Sequence, residues 1–484
     1  MKFLNVLKDK LNKTSTFNGA KALKSTNSGL VDLFGSIGSL RNRNEVDIEN
    51  LFSKAFSEDS LLAMKILFYA RDIRGGLGER RVSRILYKHL GKVYPDILKQ
   101  NLGLISHYGR WDDLNVLLDT KLRSYVIEII NIQLAVDLQS DVPSLLAKWL
   151  PSINTSSNTT KNYAKIIMEG LNWNAKKYRQ TLSALRKKID VLEVKMSAGM
   201  WTEIDYRKVP SNAMNLYSKA FINNDEERFK SYIEAVKSGD EKINSSVLYP
   251  YNITEKILYG KTDININVLE QQWNSMPDFV LGNTNNVMVM ADVSGSMFGR
   301  PMATSIGLAL YFAQRSKGAF AGHFMTFSES PSIIQITGDT LYEQVRMVLS
   351  SNWGVNTDFE KALRIILDTA VRNNLEQAEL PKTLIVVTDM QFDRSIQNTN
   401  KDWTFYKKMK RMYSRAGFTI PEIVFWNVNS MSNVFQVLNS CEGVKLASGQ
   451  SASVFKSILN SRAMTPYDFM LEVLNDERYK QVVA

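Results

Sequence analysis

From Val46 onward apolar residues recur at three- and four-residue spacing, in DIENLFSKAF, SLLAMKILFYARD and ERRVSRILYKHLGKVY, the pattern of helices that bury one face. The series continues through residues 111–139, 144–150, 161–171, 175–196, 211–221 and 225–237, with hardly any strand signal between them. Amphipathic hairpins joined by short loops predict an α-solenoid of HEAT-like hairpins over residues 46–280, although no clean repeat period emerges. Residues 1–45 are rich in Lys, Asn, Ser, Thr and Gly and lack sustained periodicity, so they read as a flexible basic arm that orders only against a partner.

Near Pro277 the pattern changes. VMVMADVS, AGHFMTFSE, SIIQIT, TLIVVTDM, PEIVFWNVN and GVKLAS are β-branched and apolar runs, separated by helical patterns at 302–316, 341–350, 358–370, 403–416 and 452–459. Strands alternating with helices predict a mostly parallel sheet covered on both faces, a doubly wound α/β domain over residues 281–465. A helical tail, 466–484, follows. The fold class is therefore α + α/β.

Composition narrows what such a chain can do. Its 484 residues suffice for two or three domains, and 44% hydrophobic residues supply an ordinary core. The longest apolar runs, 66–70 and 287–291, fall far short of the ~20 residues a membrane span requires. The N-terminal MKFLNVLKDKLNK lacks the continuous apolar stretch of a signal peptide, which predicts a cytoplasmic protein, or one of the host cytoplasm or virion if viral. A single cysteine, Cys441, excludes internal disulfides and Cys-rich zinc sites, and three histidines make His-based metal chemistry implausible. The net charge of +11 is uneven: residues 1–280 hold 40 Lys and Arg against 31 Asp and Glu. That excess suggests a polyanionic partner, or simply a solvated basic surface.

Ligand sites of open parallel sheets lie outside the carboxyl ends of the strands, where the polar residues of this half gather. The first strand ends in Asp292-Val-Ser294-Gly-Ser296, a turn that places one carboxylate and two hydroxyls around a point. Such hard oxygen donors suit Mg²⁺ or Mn²⁺. Thr357 lies in a loop directly before a helix, and Asp389 closes the strand LIVVTDM. This order resembles the metal-ion-dependent adhesion site of von Willebrand factor A domains. The resemblance implies that Asp292, Ser294, Ser296, Thr357 and Asp389 are the ligand set, some acting through water. Many members of that family carry Gly-Gly-Thr where this chain has Val355-Asn356-Thr357.

In the helical half, RDIRGGLGER, YGRWDDL, AKWLPS, KKYRQTLSALRKKIDVLE and IDYRKVPSNAM resemble an uncharacterised family of viruses, plants, fungi and bacteria. Together with the A-type domain, the architecture is similar to the TROVE module of the Ro autoantigen, a ring of helical hairpins closed by that domain. The resemblance implies a ribonucleoprotein that binds small structured or single-stranded RNA. Arginine and lysine would contact phosphates, with aromatic residues as stacking surfaces. The candidate contacts are Arg71, Arg74, Arg80, Arg81, Lys148, Arg179, Arg186, Lys187 and Lys188; Trp111, Trp149 and Trp201 read as core. The competing reading is a metal-dependent interaction or assembly scaffold in which the ion captures a partner's carboxylate. Catalysis is not expected, because neither a nucleotide-binding loop nor a Ser-His-Asp or Cys-His arrangement is present.

Overall fold

A computed structural model describes residues 11–260, 265–280, 286–327, 331–350, 359–392 and 405–484. They divide into two compact units: Leu67–Asn244 with the last four residues form one, and residues up to Ile66 with Ser245–Lys480 form the other.

The second of these is built on a six-stranded sheet. Its strands are β3 (Val287–Asp292), β4 (His323–Phe327), β5 (Ile333–Gln335), β6 (Thr383–Thr388), β7 (Glu422–Asn427) and β8 (Val444–Ser448), after a separate hairpin of β1 (Lys13–Ser15) and β2 (Lys21–Leu23). The order is β5-β4-β3-β6-β7-β8, parallel except for the edge strand β5. Every residue of β3 and β6 is buried, as expected of central parallel strands covered on both faces. Alternation along β7 separates the two layers. Trp426 meets Phe455 on one side, where Phe455 also packs on Tyr311 and Phe312 of the Arg300–Arg315 helix. Phe425 meets Phe359 and Phe392 on the other.

Three segments that the sequence pattern set apart belong to this unit. Residues 11–43, read as an arm, form the β1–β2 hairpin, the Gly29–Phe34 helix and a 3-10 turn at Ile37–Asn42. Leu23 and Phe435 exchange backbone hydrogen bonds, and Gly38 lies so close to Gly449 that a Cβ there would sit 2.6 Å from its Cα. The helices Pro250–Tyr259 and Ile266–Asn274, expected within the solenoid, pack instead on this unit: Thr254 donates to the Ala303 carbonyl, and Trp273 Nε1 donates to Gln314. The Pro466–Leu474 helix is no tail, because Phe469 packs edge-on against Phe34. An amphipathic helix announces that it buries a face, not what covers it, so boundaries drawn at 45, 280 and 465 miss these partners.

The Leu67–Asn244 unit is helical throughout, with α-helices from four residues (Leu146–Trp149) to 28 (Ser211–Ser238, broken at Asp225) and short 3-10 turns between them. Its best-knit region joins three segments around Asp113, which is fully buried. Arg71 Nε donates to Asp113 Oδ2 at 2.7 Å, Arg84 Nε to Oδ1 at 2.6 Å, and the Arg110 amide to Oδ2 at 2.9 Å. Asp112 adds contacts with Arg84 and Arg110. Gly109 leaves the room: a Cβ would lie 2.4 Å from Asp113 Oδ2.

If the N-terminal segment is an integral layer, Gly38→Ala should overpack the contact with Gly449 and cost about 1–3 kcal/mol in urea denaturation. Gly103→Ala, where nothing lies within 4 Å of the added carbon, should be neutral or gain about 0.4–1 kcal/mol. Equal midpoints for the two variants would show that the segment is not tightly docked.

Candidate metal centre

The strand order runs outward in opposite directions from β3 and β6, and this switch point opens a crevice at their carboxyl ends. Asp292 ends β3 and Asp389 follows β6, so parallel pairing brings the two acids together. Both are 1% exposed. Each caps its own turn: Asp292 Oδ1 accepts the Ser294 amide at 2.9 Å, and Asp389 Oδ1 accepts the Gln391 amide at 3.0 Å. Asp292 Oδ2 takes a further bond from the Thr388 hydroxyl at 2.8 Å. The hydroxyls of Ser294 and Ser296 lie 3.1 Å apart, Ser294 half-buried and Ser296 exposed. Thr357, the fifth expected ligand, lies outside the described residues.

Burial first, and then Asp389 beside it, push the Asp292 carboxyl up to about 7 against the Ser294 and Thr388 hydrogen bonds. Burial likewise raises Asp389, which the Ser296 hydroxyl and the Gln391 amide partly offset. Among the described residues, Asp389 Oδ2 has no hydrogen-bond donor although it is buried. An uncompensated carboxylate oxygen beside a second carboxylate is what a hard divalent cation neutralises, so the residues fit Mg²⁺ or Mn²⁺. Among the described residues no three His, Cys, Asp or Glu side chains gather at one point, so the donor set here is two carboxylates supplemented by hydroxyls. Met390 adds strain: it is buried between Asp389 and Gln391 at φ +66°, a left-handed conformation unusual for a non-glycine residue. Nothing in the pattern TDMQF announces that turn.

Residues 286–482 match a domain of unknown function, DUF7788, and residues 16–136 and 156–282 match another, DUF2828. The chain is 30% identical to the uncharacterised protein L728 of Acanthamoeba polyphaga mimivirus, over 96% of its own length and 87% of the relative's. The chain belongs to the DUF2828 family. That family is not the TROVE module, so the resemblance to Ro is withdrawn, and the ring that rested on it goes too. The DUF2828 match begins at residue 16, inside the segment expected to be an arm.

The nine basic candidates, eight of them within the DUF2828 match and Lys148 in the gap between its two stretches, fare unequally. Arg71 is 2% exposed and paired with Asp113, so it cannot reach a phosphate; the expectation is corrected. Arg186 is spent on the Ala147 and Leu150 carbonyls and the Ser152 hydroxyl, tying off the end of the Leu146–Trp149 helix. Arg74 donates to the His107 carbonyl and Lys188 to that of Ser140, although both are exposed. Arg80, Arg81, Arg179 and Lys187 are exposed, and Lys148 is half-buried with its ammonium 5.7 Å from the Trp149 ring. Trp111, Trp149 and Trp201 are half-buried, not core, and Trp149 carries the Arg110 guanidinium 3.7 Å above its ring. The same blocks that suggested RNA, RDIRGGLGER and YGRWDDL, largely build the Asp113 network.

Asp292 also sets a pH dependence. Its raised value means that the folded protein binds the proton more tightly than the unfolded chain does, so its contribution to stability is full below the ordinary carboxylate range and lost as pH rises through about 7. In EDTA, the melting temperature should therefore fall between pH 5 and pH 8, and Asp292→Asn should flatten that fall. An unchanged slope in the variant would show that Asp292 is not the group responsible.

Proposed function

We propose that this protein is a metal-dependent binding protein, not an enzyme: a von Willebrand factor A-like domain holds Mg²⁺ or Mn²⁺ and captures a protein partner's carboxylate, while a solenoid of HEAT-like hairpins serves as scaffold. The observation that carries this reading is Asp389 Oδ2, a buried carboxylate oxygen without a donor among the described residues, beside the Asp292 carboxylate. Asp292, Ser294, Ser296 and Asp389 would hold the ion, with Thr357 supplied by the next loop. When bound, the cation supplies an electrophilic position for an anionic oxygen. The chain's own groups orient the site: the Ser294 and Gln391 amides fix the two carboxylates, and Thr388 holds Asp292. Among the described residues no helix is long and apolar enough to cross a membrane, which is in keeping with work in the cytoplasm or in a virion.

Mg²⁺ should raise the melting temperature of the full chain, and Asp292→Ala should abolish the rise, because hydroxyls and waters leave the ion poorly neutralised. An equal rise in the variant would remove Asp292 from the ligand set.

One observation favours RNA binding by the helical unit as a second reading. Arg80 is exposed yet partly desolvated, and this desolvation together with the Arg110 and Arg84 cations lowers its pKa despite Asp112 and Asp113 nearby. A phosphate would relieve that repulsion. If single-stranded RNA binds there, replacing Arg80 and Arg81 by Ala should reduce the slope of log affinity against log salt by about 0.7 for each phosphate that is no longer neutralised. Identical slopes in variant and wild type would exclude both residues.

A further inference from the structure

The tip of the β1–β2 hairpin rests on the turn that carries Asp389. It is a tight turn, Phe17-Asn18-Gly19, closed by the Thr16 amide donating to the Ala20 carbonyl, the Gly19 amide donating to the Thr16 carbonyl and the Ala20 amide donating to the Thr16 hydroxyl, with Gly19 at φ +86°. Three of its groups reach the residues after Asp389. The Thr16 hydroxyl donates to the Phe392 carbonyl, the Phe17 amide donates to Gln391 Oε1 at 2.8 Å, and Asn18 Nδ2 donates to the Gln391 carbonyl at 2.8 Å. Thr16 and Gln391 are buried, whereas the Phe17 side chain is 92% exposed, so the tip is attached by polar groups and not by its aromatic ring. Gln391 is the residue whose amide fixes the Asp389 carboxylate, and the strained Met390 lies between them.

We infer that the N-terminal hairpin is the outer shell of the proposed cation site: by holding Gln391 and Phe392 it keeps the Met390 turn in its left-handed conformation and Asp389 aimed into the pocket. This rests on the metal-binding reading and adds a device to it. A backbone held in a sparsely populated conformation persists only where the surroundings over-determine it, and here three hydrogen bonds from a segment some 370 residues away in sequence do so. Ligand-orienting partners of this kind typically set metal affinity by 10–100-fold. Linkage makes the coupling reciprocal: cation binding must tighten the hairpin by the same factor that the hairpin tightens the cation. The N-terminal segment is then a handle on the site, since anything that pulls the hairpin tip away weakens the ion.

The test uses the full chain with Mg²⁺ as the probe. Affinity is measured by calorimetry, and amide exchange in residues 11–24 is followed with and without the ion. Asn18→Ala and Thr16→Val should each lower Mg²⁺ affinity about tenfold, while Thr16→Ser, which keeps the hydroxyl, should bind like wild type. Mg²⁺ should slow exchange of the Phe17 amide in wild type and do so less in Asn18→Ala. If wild type binds Mg²⁺ and both hairpin variants bind it equally well, with exchange at Phe17 indifferent to the ion, the inference falls while the cation site stands. If wild type binds no Mg²⁺ at all, the cation site falls and the linkage with it.

Discussion

Parallel pairing of β3 with β6 is the constraint from which the α/β unit's chemistry follows. It places Asp292 and Asp389 side by side at the carboxyl ends of two strands that are buried on both faces. Two carboxylates withdrawn from water repel each other and lose hydration, a cost that a fold retains only where other groups offset it. The turns after each strand offset part of it with one backbone amide per acid, and Thr388 adds a hydroxyl. The Ser296 hydroxyl helps Asp389, and among the described residues what is left without a donor is one oxygen of that acid.

The helical unit meets the same difficulty with a different outcome. Asp113 is also buried, but two arginine side chains and a backbone amide converge on its two oxygens, so it needs nothing from outside. A carboxylate supplied in this way fastens helices together; breaking one arm strands a buried charge, which is why such networks belong to the scaffold. The contrast between a saturated acid and an unsaturated one distinguishes the two settings more sharply than burial does, since all three acids are almost wholly buried.

The same competition for partners explains the basic candidates. Arginine in a helix pattern reads as a solvent-facing cation, yet Arg71 and Arg186 fold inward because an acid or a row of helix-end carbonyls lies within reach of the guanidinium. Sequence spacing gives the helix face, and the partner across it is a matter of packing. The N-terminal hairpin is the opposite case, structure where the pattern showed none. Its Asn18-Gly19 pair between Lys13–Ser15 and Lys21–Leu23 is an ordinary turn signal, but strands of three residues have no periodicity to detect.

The sequence by itself determined the division into a helical half and a parallel α/β half, because a 3.6-residue hydrophobic period and short continuous apolar runs are local properties of the chain. It also determined that Asp292, Ser294, Ser296 and Asp389 end or follow strands, which is where such folds put their sites. Only the tertiary structure decided that the hairpin at residues 13–23 and the helices Pro250–Tyr259, Ile266–Asn274 and Pro466–Leu474 belong with the sheet, and that Asp113 consumes Arg71 while one oxygen of Asp389 meets no donor among the described residues. These are contacts between residues tens to hundreds of positions apart. Their energy depends on which surfaces meet, and no local pattern encodes that.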